Sequence, residues 1–328
     1  MKLLKAIRIN QFGTSENLVV EQTEVSTPAE NEVLINLHAA GVNPSDVYTS
    51  TGTYAIKPNL PYTPGLDGAG IVEQVGEQVT NVKAGDRVFI ASLPNGKSTG
   101  TLAQQIVCES RFVHPIPEHI SFEQGAALGI PALTAYRALV GRAKVKSGQT
   151  VFIHGASGAV GLQAVQIAKA LGAKVIGTAS RDSGKQLVKE AGADVVLDHI
   201  KEETIETVLE ANDGKAPDVI IEFLANENLQ TDLQMLAKHG VIVIVGNRGE
   251  IEINPRLVMQ KECDVRGMVL FNVSAEEHQE LISGVSKLLE TEQLKPVVGY
   301  SYPLEQAGKA FDSVINGEHN GKVVIKTQ

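Results

Sequence analysis

The chain has 328 residues, 43% hydrophobic and 20% charged, a balance that suits a packed globular protein and excludes a disordered or low-complexity one. That length exceeds what one core usually fills, so two domains are expected. The formal net charge of −9 excludes broad electrostatic attraction to nucleic acid or anionic lipid, and the two cysteines, Cys108 and Cys263, exclude a disulfide framework and a four-cysteine zinc lobe.

No apolar run reaches the length of a membrane span, and the N-terminus Met1–Arg8 lacks a signal-peptide core and reads as a first strand. With so few cysteines, the cytoplasm is the expected location. Over residues 1–122, short strand-like runs (Glu32–Leu37, Gly70–Val75, Arg87–Ile90, Gln105–Cys108) alternate with Gly, Pro, Asn and Asp turns, which predicts an all-β domain, a distorted barrel. The period then changes. Ser121-Phe122-Glu123-Gln124 has serine at a helix N-cap and glutamine at the reciprocal capping-box position, and helix-like runs continue through Ala126 and Leu133–Leu139.

Residues 123–293 alternate strand and helix: Val151–His154, Lys174–Thr178, Asp194–Leu197, Asp218–Phe223 and Val241–Val245, then a sixth strand Val265–Phe271 and a helix over Ala275–Leu289. Continuously apolar strands such as Val241–Val245 need helices on both faces. The fold class is therefore α/β, a Rossmann-type doubly wound parallel sheet beside a β-rich domain. The tail 294–328 returns to turns and short strands, ending in Lys322-Val323-Val324-Ile325, and is expected to rejoin the first domain.

Between the first strand and helix of the parallel sheet lies Gly155-Ala156-Ser157-Gly158-Ala159-Val160-Gly161. Small residues there leave the helix N-terminus open to a pyrophosphate, whose charge suits the unpaired N–H groups and the positive dipole end. The spacing is G-x-x-G-x-x-G, so it is the strand-to-helix context that carries the assignment. A competing reading is the G-x-S-x-G nucleophile elbow, one substitution away, against which Gly161 argues by permitting close helix–sheet packing. His154, at the strand end, reads as a hydrogen-bonded core histidine.

A β-rich domain, a Rossmann unit and a returning tail resemble the medium-chain dehydrogenase/reductase superfamily, whose catalytic domain is GroES-like. Gly41-Val42-Asn43-Pro44-Ser45-Asp46-Val47-Tyr48, Gly52-Thr53-Tyr54, Leu60-Pro61-Tyr62-Thr63-Pro64-Gly65, Gly85-Asp86-Arg87-Val88 and Leu294-Lys295-Pro296 resemble its zinc-free quinone oxidoreductase family. Gly129-Ile130-Pro131-Ala132-Leu133-Thr134-Ala135-Tyr136 and Ile253-Asn254-Pro255-Arg256 resemble the zeta-crystallin-like branch. Zinc-dependent relatives place a thiolate near Asn43 and an imidazole in the Pro64-Gly65-Leu66-Asp67 segment; an amide and an aliphatic side chain stand here instead, so no metal is expected. Without a Lewis acid, alcohol oxidation loses its alkoxide stabilisation, whereas an electron-poor quinone or enone itself delocalises the charge that hydride brings.

The second strand ends Gly177-Thr178-Ala179-Ser180-Arg181, without the carboxylate that NAD-specific folds place on the ribose hydroxyls. Arg181 is suited to a 2′-phosphate and Lys185 adds charge, so NADPH is the expected cofactor. Against this stands the reading of both as solvated helix-start residues balancing Asp182. The cofactor turn comprises Ser157, Gly158, Ala159 and Val160, with Ser180 beside Arg181. The resemblance implies further cofactor contacts from Tyr48, Thr134, His199, Asn228, Val245, Gly246, Asn247, Arg248, Met268, Val269 and Leu270. Asn43, Asp46 and Tyr54, placed in one loop segment, are the catalytic candidates, Tyr54 by similarity to enoyl-thioester reductases; turn and helix-cap chemistry is the competing reading of Asn43 and Asp46.

Together these predict an NADPH-dependent, metal-free reductase of quinones or similar enones, transferring hydride in a cleft between the domains. An enoyl or alkenal double-bond reductase is the competing enzyme. A third reading, RNA binding or a structural crystallin role by family analogy, meets an acidic chain with six tyrosines, eight phenylalanines and no tryptophan, which offers neither basic stripe nor stacking platform. Pairing through the edge strand Val265–Phe271 predicts a homodimer or homotetramer, with no membrane partner.

Overall fold

In a computed structural model residues 3–94, 96–199 and 205–328 are described; Met1 and Lys2 of the predicted first strand lie outside them, and that strand runs Leu3–Arg8. The chain forms two compact units, Met1–Pro131 with Pro296–Gln328, and Ala132–Lys295. The change of period at residue 121 marks a helix start. The division of the units comes later, within the helix Gly129–Tyr136.

In the first unit a 7-stranded sheet runs Val298–Pro303, Lys322–Lys326, Glu32–Val42, Asp67–Val75, Arg87–Ile90, Val113–Pro115, with Gln105–Glu109 also on Glu32–Val42. Burial alternates along Glu32–Leu37, the period of a strand with one face in the core. Lys322–Lys326 pairs antiparallel with that strand, Val323 opposite Val42, which brings the C-terminal tail beside Asn43. Ser121 caps the helix Phe122–Gly125 as its sequence suggests: the Gln124 N–H donates to Ser121 Oγ at 3.2 Å and the Ser121 N–H to Gln124 Oε1 at 3.0 Å.

The second unit has a 6-stranded parallel sheet in the order Val195–Leu197, Lys174–Thr178, Thr150–Ile153, Val219–Glu222, Val241–Ile244, Asp264–Gly267. Counted along the chain this is 3-2-1-4-5-6, the dinucleotide-binding order, with its switch point between the first and fourth strands. Thr150–Ile153 and Val219–Glu222 are buried throughout and Val241–Ile244 at its centre, and the helix predicted over Ala275–Leu289 runs Ala275–Glu290. The sixth strand is shorter than predicted. It ends at Gly267, and Leu270–Asn272 form a turn of 3₁₀-helix. The apolar run Val269-Leu270-Phe271 looked like strand, but the Val269 carbonyl accepts from Arg137 Nη1 at 2.7 Å and Leu270 is buried. Among the described residues no helix is long and apolar enough to cross a membrane.

Candidate functional site

In the second unit, most of the residues expected at a dinucleotide follow the C-terminal ends of the parallel strands. Ser157–Val160 follow the first strand, Ser180 and Arg181 the second, His199 the third, Val245–Arg248 the fifth and Met268–Leu270 the sixth. Asn228 lies on the helix Ala225–Met235 after the fourth. Thr134 is buried in the helix Gly129–Tyr136, and Tyr48 belongs to the first unit.

The glycine turn fits a pyrophosphate by its own geometry. Gly155 turns the chain at φ +51°, a conformation that favours glycine. A Cβ on Gly161 would stand 2.7 Å from Ala156 Cα, so only glycine lets the helix Ala159–Ala170 start this close to the turn. Gly158 caps that helix without a side-chain hydrogen bond, which leaves its first N–H groups facing outward. Thr178, ending the second strand, braces the turn: its Oγ1 accepts from the Gly155 N–H at 3.1 Å and its carbonyl from the Ala156 N–H at 2.8 Å. Ser157 does not have the positive φ of a strained elbow, and His154 Nε2 is already engaged, so the nucleophile reading falls.

Just past the second strand, Arg181 is exposed at the N-cap of the helix Asp182–Glu190. Lys185, one turn on, has its ammonium 2.7 Å from the buried Asp198 carboxylate and 3.6 Å from Asp182. His199 is exposed, and Asn247 and Arg248 are exposed in the turn after Val241–Ile244. Gly246 is fixed by closeness, since a Cβ there would lie 2.2 Å from the Phe223 carbonyl oxygen.

The first unit holds a buried polar cluster. Asn43 is the N-cap and Pro44 the first residue of the helix Pro44–Ser50, which also carries Asp46 and Tyr48, so the helix-cap reading of Asn43 and Asp46 holds and the single loop segment does not. Proline's fixed φ suits that position, and the Asn43 N–H donates to Asp46 Oδ2 at 2.8 Å. Tyr54 follows the helix, half-buried, with its N–H donating to the Tyr48 carbonyl at 3.1 Å. The Asn43 amide donates to Asp67 Oδ2 at 2.8 Å, and Asp67 Oδ1 accepts from the Ile130 N–H at 2.8 Å. Lys322 Nζ donates to Asp67 Oδ2 at 3.2 Å and to Asn43 Oδ1. All four side chains are buried, Lys322 and Asp67 almost completely.

Burial first, then the Asp67 charge, pushes Asp46 up to about 7, against its bond from Asn43 and the pull of Lys322. Burial lowers Lys322 while Asp67 and Asp46 oppose the shift. Tyr54 is held above its ordinary value by burial and then by Asp46. Asp46 also lines a small recess of about 20 Å³ with Tyr62, Thr63, Leu66 and Lys97, where the buried Tyr62 hydroxyl lacks a hydrogen-bond partner. The donor set does not suit zinc. Leu66 is aliphatic, the Asn43 amide is in use, and an ammonium already supplies the cation at Asp67.

Beneath the glycine turn, His154 Nε2 lies 2.7 Å from Asp232 Oδ1 and 3.1 Å from Glu222 Oε2. Their ligand atoms lie within 4.8 Å of one another, but the 2.7 Å separation is a hydrogen-bond length that one proton satisfies without an ion. The sequence reading missed Glu222, Asp232, Asp67 and Lys322. The available signal was a charged residue ending or opening an otherwise apolar strand, in Val219–Glu222 and Lys322–Lys326.

Two family models match, the alcohol dehydrogenase GroES-like domain over residues 29–118 and the zinc-binding dehydrogenase over 159–287. Human quinone oxidoreductase is 43% identical over 99% of this chain and 98% of its own length. A structure of Escherichia coli quinone oxidoreductase complexed with NADPH superposes with a TM-score of 0.87 at 31% identity, covering 98% of this chain and 99% of that one. An NAD-dependent alcohol dehydrogenase structure has a TM-score of 0.91 at 27% identity, covering 99% and 100%.

Proposed function

We propose, from the premise that this chain belongs to the quinone oxidoreductase family of the medium-chain dehydrogenase/reductase superfamily, that it is an NADPH-dependent reductase of quinones or similar conjugated carbonyl acceptors. The observation that carries the cofactor choice is the open, braced glycine turn with Arg181, and no carboxylate, at the end of the second strand. NADPH supplies the hydride. A quinone that accepts it gains two electrons and one proton, and a second proton from solvent completes the hydroquinone.

The chain's own groups bind and orient. Ser157–Val160 offer N–H groups to the pyrophosphate, and Arg181 offers its guanidinium to the 2′-phosphate. Asn228, Val245–Arg248 and Met268–Leu270 complete the dinucleotide site in this reading, with Tyr48, Thr134, Ser180, Lys185 and His199. Asn43 and Asp46 hold the polar cluster and Tyr54 offers a hydroxyl to the acceptor, with no metal in the reaction. A homodimer or homotetramer in the cytoplasm completes the proposal.

A spectrophotometric panel tests it: NADPH oxidation with quinones, enals and enoyl thioesters, with and without chelator, in wild type and Tyr54→Phe. A quinone distributes the incoming charge over two carbonyls, so its turnover should fall less than about tenfold in the Phe variant and ignore chelators. An enoyl acceptor must gain a proton on carbon, where a general acid typically contributes about 10²–10⁴-fold. Wild type far better on an enoyl acceptor, with that activity lost by two orders of magnitude or more in Tyr54→Phe, would replace this reading with a double-bond reductase.

A further inference from the structure

The carboxylate of Glu222 joins strand ends of the second unit. Its Oε1 accepts from the Leu224 N–H and from the Asn228 side-chain amide, the latter at 3.3 Å. Its main-chain carbonyl accepts from the N–H groups of Val245 at 2.8 Å and Gly246 at 3.3 Å. On its other side stands His154, the residue before Gly155, whose own N–H donates to the Ile221 carbonyl at 3.2 Å. Leu224 and Asn228 thus hang on the Glu222 carboxylate and the Val245–Gly246 turn on its main-chain carbonyl, while the strand residue beside it, Ile221, holds the residue that opens the glycine turn.

We propose that Glu222 is a positioning residue of the dinucleotide site and that, with His154 and Asp232, it takes up a proton when a dinucleotide binds. This rests on the reading of Asn228 as a cofactor contact. His154, from the end of Thr150–Ile153, and Asp232, from the helix Ala225–Met235, are the titratable groups on Glu222; the neighbouring strand Val241–Ile244 carries none. Glu222 and Asp232 are fully buried, and Glu222 Oε2 and Asp232 Oδ2 make no hydrogen bond as unprotonated acceptors. One proton on this pair turns two repelling acceptors into a donor and an acceptor. Burial, ahead of His154 pulling down and Asp232 pushing up, places Glu222 at about 7.

The sign follows from charge. An anionic dinucleotide on the turn beginning at Gly155 disfavours a second buried carboxylate below it, so binding favours the protonated cluster, and by reciprocity affinity falls as pH rises. Oε1 remains an acceptor for Leu224 and Asn228 in both states, so the loops stay positioned.

The test is NADPH affinity, read by NADPH fluorescence from pH 6 to 8, in wild type, Glu222→Gln and Asn228→Ala. The wild-type Kd relative to that of Glu222→Gln should rise about three- to tenfold across the range, a comparison that cancels titration of the 2′-phosphate. Parallel profiles in the two proteins overturn the proton uptake. Calorimetry of wild type with NADH at pH 7, in buffers of different ionisation enthalpy, should show proton uptake, and this decides the matter even where Glu222→Gln does not fold; no exchange overturns it. Asn228→Ala should weaken binding at every pH with the profile kept, and no weakening overturns positioning through Asn228. A stoichiometric divalent cation on the trio, whose removal abolishes binding, also overturns the proposal. Failure of wild type to bind either dinucleotide instead defeats the cofactor reading itself.

Discussion

In sequence Arg181 and Lys185 form a phosphate-binding pair, and in the structure their surroundings differ. The Lys185 ammonium sits 2.7 Å from a carboxylate of Asp198 that is only 5% exposed, whereas Arg181 projects from a helix N-cap. An ammonium held by a buried anion has less to give a ligand, and a guanidinium offers a phosphate a planar fork that an ammonium lacks. Arg181→Ala should therefore weaken NADPH binding by roughly 1.5–3 kcal/mol and leave NADH nearly unchanged, with a much smaller loss for Lys185→Ala. Titrating both cofactors against both variants checks this, and equal losses of NADPH and NADH in Arg181→Ala would defeat the phosphate role. Individual residues are also where the sequence was least legible. Asn43 and Asp46 were named because they sit together in sequence. Their partners Asp67 and Lys322 arrive from another strand and from the C-terminal tail, and although Lys322 opens an otherwise apolar strand, nothing local to either says which residue it pairs with. Glu222 stands out only as a charged end to an apolar strand and Asp232 not at all, and only sheet order brings them onto His154.

Elements were far easier to read. Arg87–Ile90 and Lys174–Thr178 appear with the boundaries their sequence suggested, and the Ser121 cap forms as its spacing required. Apolar period and capping act over a few residues, so they survive without knowledge of the rest of the fold. Where tertiary contacts decide, the reading slipped, as at Val265–Phe271, whose second half is taken by Arg137. The remaining strand, Asp264–Gly267, ends the sheet, and among the described residues no strand pairs with its outer edge. The N–H groups of Asp264 and Met268 donate inward, to Gly240 at 3.0 Å and Ile244 at 3.1 Å, so alternation turns those of Val265 and Gly267 outward. We propose that a second copy pairs with these groups in a twofold dimer. Val265→Pro removes an outward donor from both copies while leaving the inward ladder intact, and should weaken self-association roughly tenfold to a hundredfold. Sedimentation velocity over a dilution series measures it; a wild-type monomer at micromolar concentration, or an unchanged variant, would refute edge pairing.

Among the described residues, each unit buries one carboxyl group raised to about 7, Asp46 in the first and Glu222 in the second. Burial is the leading cause in both, and a neighbouring carboxylate adds to it, Asp67 in one case and Asp232 in the other. Since both folded values exceed the ordinary ones of 3.8 and 4.5, the folded chain holds these protons more tightly than the unfolded chain. Their contribution to stability is full below the ordinary carboxylate range and is lost as pH rises through about 7. The slope reaches at most about 1.4 kcal/mol per pH unit for each group. Lys322, lowered by burial, acts in the opposite sense, restoring stability as pH climbs past its folded value. Asp194 is held below its ordinary value by Lys169 and the Val175 N–H despite burial, and changes stability only at lower pH. Hydrogen exchange read by peptide separates the two units in one experiment. Between pH 6 and 8, with intrinsic exchange rates corrected, wild type should lose protection in both; Asp46→Asn should flatten the loss in the first unit and Glu222→Gln in the second. Because each substitution removes a titration and keeps the side chain's shape, a variant whose pH dependence runs parallel to wild type in its own unit would show that its carboxyl group is already ionised at pH 6, and the proton-holding role of that group would be wrong.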